Sequence, residues 1–177
     1  ALDDKTDYQK IYAVYDYICD NITYDFLHLN DINYTLKNSA YAALINKTAV
    51  CQGYANLLYR LLLELGIDNR IIVGEVEDGP HAWNIVRLEN AYYNMDPTWD
   101  RDLTGYYRFF LCTETNFAWH DRDSQFNSAA FHAAYPMATL PFVENITASG
   151  TVNSKIKWVL DGDTGTLTVA GSGAIPS

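Results

Sequence analysis

The stretch AVCQGYANLLYRLLLELG, from Ala49 to Gly66, decides how this chain of 177 residues folds. Between residues 53 and 65 the polar side chains form one narrow stripe at helical spacing, and every other position is apolar or tyrosine. This pattern predicts a largely buried helix, and Gly66 is a typical stop signal. Cys51 comes immediately before the helical run. A reactive thiol gains more from that position than a structural thiol does, because a helix N-terminus favours the thiolate.

The residues after this helix follow the period of β-strands. We predict strands over 70–76, 82–88 and 91–95, with a turn over 77–80 and a hairpin turn at Glu89 and Asn90. The sequence therefore predicts a β-hairpin and one further strand after the buried helix.

The residues before the helix begin with a capping box, because Gln9 follows Thr6 at the required spacing. Apolar residues at helical spacing then predict a helix over 7–20, with Cys19 as a buried core thiol. The remaining expectations are an irregular loop over 21–37, a short helix over 40–46, a strand over 106–111 and a short helix over 113–120 capped by Thr113.

Composition excludes several classes of partner. The chain carries 12 basic and 22 acidic side chains, a formal net charge of -10, which argues against nucleic acid and against anionic membranes. No apolar run approaches the length of a membrane span, so we expect no membrane insertion. Three cysteines are too few for a disulfide framework and leave at least one free thiol. The oligomeric state is left open.

A second group of residues can activate the thiol of Cys51. His81 begins a predicted strand directly after Pro80, which stiffens the approach to it. Asp96 ends the partner strand, and a turn near residues 89–90 would set His81 opposite Pro97 or Thr98. Asp96 would then lie within reach of His81. We predict that His81 Nδ1 bonds Asp96 and that Nε2 faces the Cys51 sulfur.

Each of these residues has an ordinary structural reading by itself, and the joint pattern carries the hypothesis. His28 and His132 have poor sequence contexts for catalysis, whereas His120 is harder to dismiss. One cysteine, one histidine and one aspartate lack the short-range pairs typical of zinc sites. We therefore predict neither a metal nor a cofactor.

The blocks AVCQGYANLLYRLLLELGIDNRIIVGEV, HAWNIVRLENAYYNMDPTWD and YYRFFLCTETNF resemble the transglutaminase-like superfamily in its bacterial form. The resemblance covers about Ile11 to His120, and the order of the three blocks is highly specific. The cysteine, histidine and aspartate of the family fall on Cys51, His81 and Asp96. The resemblance implies a papain-like α+β fold, with the thiol helix packed on an antiparallel sheet, and thiol chemistry at an acyl carbon.

The chain departs from the animal members of this family at the site that binds the oxyanion. Those enzymes use an upstream Trp indole, but this chain has no Trp before Trp83. The Cys51 backbone N–H would serve as one donor, and Tyr24 or Tyr34 is a candidate for the second. Nothing in the sequence resembles the calcium sites of the animal enzymes.

The composition shifts after Pro141, where glycine, serine and threonine increase. We predict a catalytic domain over 1–142 and a linker with a β-hairpin over 143–177, the start of a longer β-rich region. The hairpin is similar to the lead-in of repeat regions in bacterial surface proteins, which favours an extracellular or cell-surface setting. The chain starts at Ala1 without Met or a signal peptide, which we interpret as a mature or trimmed form.

The function predicted from these features is thiol-dependent acyl transfer on peptide-type amides of a protein or peptide substrate. The acyl acceptor would be water or an amine, giving hydrolysis or transamidation. The alternative is a non-catalytic extracellular binding module on the same fold, because a fold alone does not guarantee activity.

Overall fold

Three α-helices, a four-stranded antiparallel sheet and a two-stranded parallel sheet form the first of two units in the computed structural model, which describes residues 2–103, 105–144, 148–153, 156–161 and 165–171. The units are Ala1–Pro141 and Phe142–Ser177. Within the described ranges, no helix has the length and apolar character that crossing a membrane requires. The helices and strands of the first unit are α1 (Asp7–Asn21), β1 (Thr23–Tyr24), β2 (Thr48–Ala49), α2 (Cys51–Glu64), β3 (Asn69–Val76), β4 (Gly79–Leu88), β5 (Ala91–Met95), β6 (Asp121–Arg122) and α3 (Ala129–Ala134).

Helix α1 begins with the predicted capping box. The Thr6 hydroxyl accepts a hydrogen bond from the Gln9 backbone N–H, and the Gln9 side chain accepts one from the Thr6 N–H. The helix runs one residue beyond the predicted end, and its apolar stripe is buried, including Cys19 as expected.

Helix α2 starts at Cys51, two residues before the apolar run from which it was predicted. No side chain caps its first turn. Gly53 is required there, because a Cβ at that position would lie 2.5 Å from the Ala49 Cβ and 2.7 Å from the Lys37 carbonyl oxygen. The first turn of α2 therefore packs closely against Lys37 and Ala49. The helix ends before Gly66, whose φ of +75° is the left-handed conformation expected of a C-terminal glycine.

The sheet has the order β5-β4-β3-β6, and the three predicted strands are confirmed with small shifts at their ends. Strand β4 begins at Gly79, inside the predicted turn, because Val76 pairs with Gly79 and the hairpin needs only two linking residues. The turn between β4 and β5 is at Glu89 and Asn90, as predicted, with Leu88 paired to Ala91.

The chain over 106–111 is not the predicted strand. It is held instead by separate backbone bonds, from the Asp96 N–H to the Phe109 carbonyl and from the Cys112 N–H to the Asn94 carbonyl. Leu111 has a φ of 48°, which interrupts an extended conformation. The buried Asp100 carboxylate accepts the Phe109 N–H, so a side chain replaces a strand partner.

Two predicted short helices take other forms. The segment over 40–46 contains a π-helical turn at Ala42–Asn46. Only a 3₁₀ turn, Glu114–Asn116, forms within 113–120, and the Thr113 hydroxyl bonds the Asn116 side chain rather than the backbone N–H groups of the turn. A helix that lacks its cap has less reason to extend.

An apolar cluster between the sheet and the chain beyond β5 supports the region that follows Asp96. Its central member is Trp83, which is fully buried. The members are Ile72, Trp83, Ile85, Tyr92, Phe109, Cys112 and Phe117.

The second unit contains a three-stranded antiparallel sheet, β7 (Ala148–Asn153), β8 (Ile156–Asp161) and β9 (Thr166–Gly171), in that order. The predicted hairpin is confirmed as β8 and β9, and β7 adds a strand on the other edge of β8. Residues 162–164 of the predicted turn lie outside the described residues. That this unit opens a longer β-rich region stays a prediction.

Candidate active site

Cys51 is the first residue of α2, and its side chain is partly exposed. Strands β1 and β2 pair in parallel, with Tyr24 opposite Ala49, and so fix the chain just before the helix. The other two thiols differ from it. Burial raises the pKa of Cys112 to about 12 and raises that of Cys19 well above its usual range. Cys51 is therefore the accessible thiol of the three.

His81 and Asp96 form a buried hydrogen-bonded pair across the β4–β5 hairpin. Met95, the last residue of β5, pairs with Asn84, and continuing that register sets His81 opposite Thr98. His81 Nε2 lies 2.8 Å from Asp96 Oδ2. The predicted ring orientation was wrong, since Nδ1 was expected to bond Asp96. Nε2 is the ring nitrogen farther from the backbone, so it spans the diagonal distance to Asp96.

The Cys51 side chain is close enough to His81 to influence the charge of its ring. Burial by itself would lower the pKa of His81. The hydrogen bond with Asp96, followed by the influence of the nearby Cys51 side chain, outweighs burial and raises that pKa to about 9. The protonated ring is therefore favoured at neutral pH, which is the state that pairs with a thiolate.

The Asp96 carboxylate is fully buried, and it accepts three hydrogen bonds. Its Oδ2 faces His81 and His120, and its Oδ1 accepts the Thr98 backbone N–H at 2.9 Å. Burial alone would raise the pKa of Asp96, but the hydrogen bonds from His120 and His81 lower it to about 2. Asp96 is therefore an anion throughout the neutral range.

His120 joins this group, although sequence context alone did not assign it a role. Its Nε2 lies 3.1 Å from Asp96 Oδ2. The ligand-type atoms of His81, Asp96 and His120 lie within 4.8 Å of one another, a spacing that could also hold a metal ion. All three of these atoms are engaged in hydrogen bonds within the group, so we describe it as a hydrogen-bonded cluster.

Tyr24 lies beside Cys51, whereas Tyr34, the other candidate oxyanion donor, packs on His28 with ring centroids 4.3 Å apart. Burial raises the pKa of Tyr24 to about 12, and the Cys51 thiol contributes to the rise. The backbone N–H of Cys51 lowers this pKa. Tyr24 is therefore a neighbour of Cys51, in agreement with its pairing opposite Ala49. The Arg101 guanidinium lies over the Tyr24 ring, 5.2 Å from its centroid.

A cleft of about 350 Å³ opens next to His81. Its walls include the aromatic rings of Tyr24, Phe26 and Trp99, and Arg101 adds a positive charge. Asp78 adds a negative charge, so the cleft combines aromatic, aliphatic and charged side chains. Sequence reasoning did not single out Phe26 or Arg101, which no local pattern marks.

His28 and His132 are separate from the cluster. His28 Nδ1 bonds the Asp25 carboxylate at 2.9 Å, and His132 lies exposed on α3. Their exclusion by sequence context agrees with these positions.

The chain is similar to one protein family and to solved structures. The family profile of the transglutaminase-like superfamily matches residues 2–97. A solved structure described as a TGase is 26% identical, with a TM-score of 0.47, over 64% of this chain and 32% of its own. A structure described as a candidate cysteine protease from Cytophaga hutchinsonii is 21% identical, with a TM-score of 0.44, over 66% of this chain and 40% of its own.

The chain thus spans about a third of the first of these proteins and two fifths of the second. No curated protein matches it. The family profile covers more than half of the chain, including Cys51, His81 and Asp96. The chain therefore belongs to the transglutaminase-like superfamily.

Proposed function

We propose that this protein is a cysteine enzyme that transfers the acyl group of peptide-type amides through Cys51, His81 and Asp96. One observation carries the proposal: the buried and hydrogen-bonded pair of His81 and Asp96 lies near the accessible thiol at the start of α2. A thiol of ordinary pKa is a weak nucleophile at neutral pH, and this arrangement is one that activates it.

In the first half of the reaction, the Cys51 sulfur attacks the amide carbonyl carbon. His81 carries the thiol proton on Nδ1 and passes it to the leaving amine as the C–N bond breaks. The product is a thioester on Cys51. Asp96 accepts the Nε2–H throughout, which holds the ring in place and stabilises its charged form.

The oxyanion that forms during attack needs hydrogen-bond donors at the site of the developing charge. We assign this role to the Cys51 backbone N–H and the Tyr24 hydroxyl, because Tyr24 is a neighbour of Cys51. Tyr24 would then take the role of oxyanion donor that an upstream Trp has in the animal enzymes.

In the second half, His81 removes a proton from water or from a primary amine, which attacks the thioester and releases Cys51. The acceptor decides between hydrolysis and transamidation. The aromatic cleft next to His81 would bind the acyl donor, with peptide side chains against Tyr24, Phe26 and Trp99.

The test is incubation with a peptide library and a primary amine, followed by mass spectrometry. Hydrolysis adds water at a cleaved or deamidated bond, and transamidation adds the mass of the amine with loss of ammonia or a peptide fragment. We expect one of these products with the natural chain and none with Cys51→Ala. A correctly folded natural chain that yields neither product across the library would contradict the proposal and favour a binding module.

A further inference from the structure

His120 belongs to the hydrogen-bonded cluster, but the mechanism above gives it no role. Its side chain is fully buried, and its Nε2 shares Asp96 Oδ2 with His81. Nδ1 of the same ring lies 3.0 Å from the Ala118 carbonyl oxygen. Both ring nitrogens therefore have partners at hydrogen-bond distance.

The two partners of His120 decide which way its hydrogen bonds run. A backbone carbonyl can only accept a hydrogen bond, and so can an ionised carboxylate. His120 therefore satisfies both Asp96 and Ala118 when each of its nitrogens carries a proton. The contact with Asp96 is then a charge-assisted N–H···O bond, which is among the stronger kinds in proteins.

Aromatic rings enclose the imidazole of His120. Phe117 stacks on it with centroids 4.0 Å apart and planes 26° apart, and Trp99 lies 4.4 Å away. Trp83 and Phe109 approach at 5.1 and 5.7 Å. This enclosure, here called the aromatic cage, fixes the ring and suits a positively charged group.

The backbone next to His120 is anchored to the sheet. Strand β6 begins at Asp121 and pairs with β3, where Gly74 lies opposite Arg122. Gly74 is also the partner of His81 on the other side of β3. A Cβ at Gly74 would lie 2.0 Å from the Asp121 carbonyl oxygen, so only glycine admits β6 this closely. Gly74 of β3 therefore pairs with His81 on one side and, on the other side, with the short strand that follows His120.

We propose that His120 is a positioning residue that donates from Nε2 to Asp96 and holds this buried carboxylate ionised and directed at His81. The inference rests on the proposed function of the same site. His120 does not touch the thiol or the cleft in this role, and it acts only through Asp96.

The electrostatics of the cluster support this role. Among the hydrogen bonds that keep the pKa of Asp96 low against burial, the bond from His120 contributes most, followed by that from His81. A depression of about 210 Å³ is lined by His120 and by three other charged groups, Glu114, Asp121 and Arg122. Arg122 itself bonds Glu114. Within the described residues, Asp96 is the carboxylate that His120 contacts directly.

The test compares two neutral replacements. His120→Gln keeps an N–H donor near the position of Nε2, whereas His120→Phe fills the aromatic cage without a donor. The readout is the rate at which iodoacetamide alkylates Cys51 between pH 4 and pH 10, which needs no substrate. A matched His132→Phe exchange on exposed α3 serves as control.

We expect Cys51 to react about tenfold faster in His120→Gln than in His120→Phe from pH 5 to pH 7, the effect of one charge-assisted hydrogen bond. The His132→Phe protein should follow the natural chain. Equal rates for the Gln and Phe variants at pH 5 to 7 would overturn the inference.

A second measurement covers the case in which His120→Phe does not fold. In the natural chain labelled with ¹⁵N-histidine, we expect His120 Nε2 to carry a proton at neutral pH. An unprotonated Nε2 would overturn the inference. Failure of the proposed function would appear separately, as absence of acyl transfer by the natural chain with the alkylation difference intact.

Discussion

The three cysteines of this chain provide a direct quantitative test of the site. Only a thiolate reacts with iodoacetamide, so the reaction rate follows the ionised fraction and the exposure of each thiol. Cys51 is partly exposed and interacts with His81, whereas Cys19 and Cys112 are buried. Selective alkylation of Cys51 in the native protein is the expected result.

The size of the difference follows from burial. With its pKa raised to about 12, Cys112 has a thiolate fraction of about 10⁻⁵ at pH 7. An ordinary thiol with a pKa of about 8.5 is roughly 3% ionised at that pH. Ionisation alone therefore favours an ordinary thiol over Cys112 by about three orders of magnitude. Exclusion of the reagent from the core and the imidazole next to Cys51 both add to this ratio.

The assay is a time course with limiting iodoacetamide at pH 7, followed by digestion and mass spectrometry of the three cysteine peptides. In guanidinium chloride the three thiols should react at similar rates, which controls for peptide detection. Circular dichroism verifies that the alkylated protein remains folded. If Cys19 or Cys112 reacts within tenfold of Cys51 in the folded protein, the assignment of a catalytic thiolate to Cys51 is refuted.

Three further outcomes are expected. Tyr24→Phe should lower kcat by about 10²-fold while leaving the melting temperature unchanged, because it removes an oxyanion donor and keeps the ring. Tyr34→Phe is the matched control. Equal kcat values for the two variants would count against Tyr24 as a donor. Because the pKa of His81 is raised from 6.5 to about 9 in the folded protein, its stabilisation is complete below pH 6.5 and is lost as pH rises through 9. Urea unfolding should show this as a difference between the natural chain and His81→Gln that shrinks by about 3 kcal/mol from pH 6.5 to 9.5, and a constant difference would contradict it. Lys37→Met should lower the free energy of unfolding by about 2–3 kcal/mol, because Lys37 Nζ donates to three backbone carbonyls of the loop over 28–31, and an unchanged value would show that these bonds contribute no net stability.

The sequence by itself determined the elements that carry Cys51, His81 and Asp96. A helix-period run after Cys51 and a hairpin with its turn at residues 89–90 are local patterns, and each strand pair fixes its register from its own turn. The spacing of fifteen residues between His81 and Asp96 was enough to predict that they meet. The α+β class followed from the resemblance of three sequence blocks to the transglutaminase-like superfamily.

Only the tertiary structure decided how the rest of the site is assembled. His120 reaches Asp96 from 24 residues away, through an irregular segment that no period describes, and it depends on the close approach of β6 to Gly74. Tyr24 reaches Cys51 through a two-residue parallel pairing of β1 with β2 that is too short to leave a pattern in the sequence. The orientation of the His81 ring depends on where the Asp96 carboxylate lies in the folded chain. Local periodicity therefore predicted the elements, whereas the contacts between distant segments arise from packing, which a single sequence does not display.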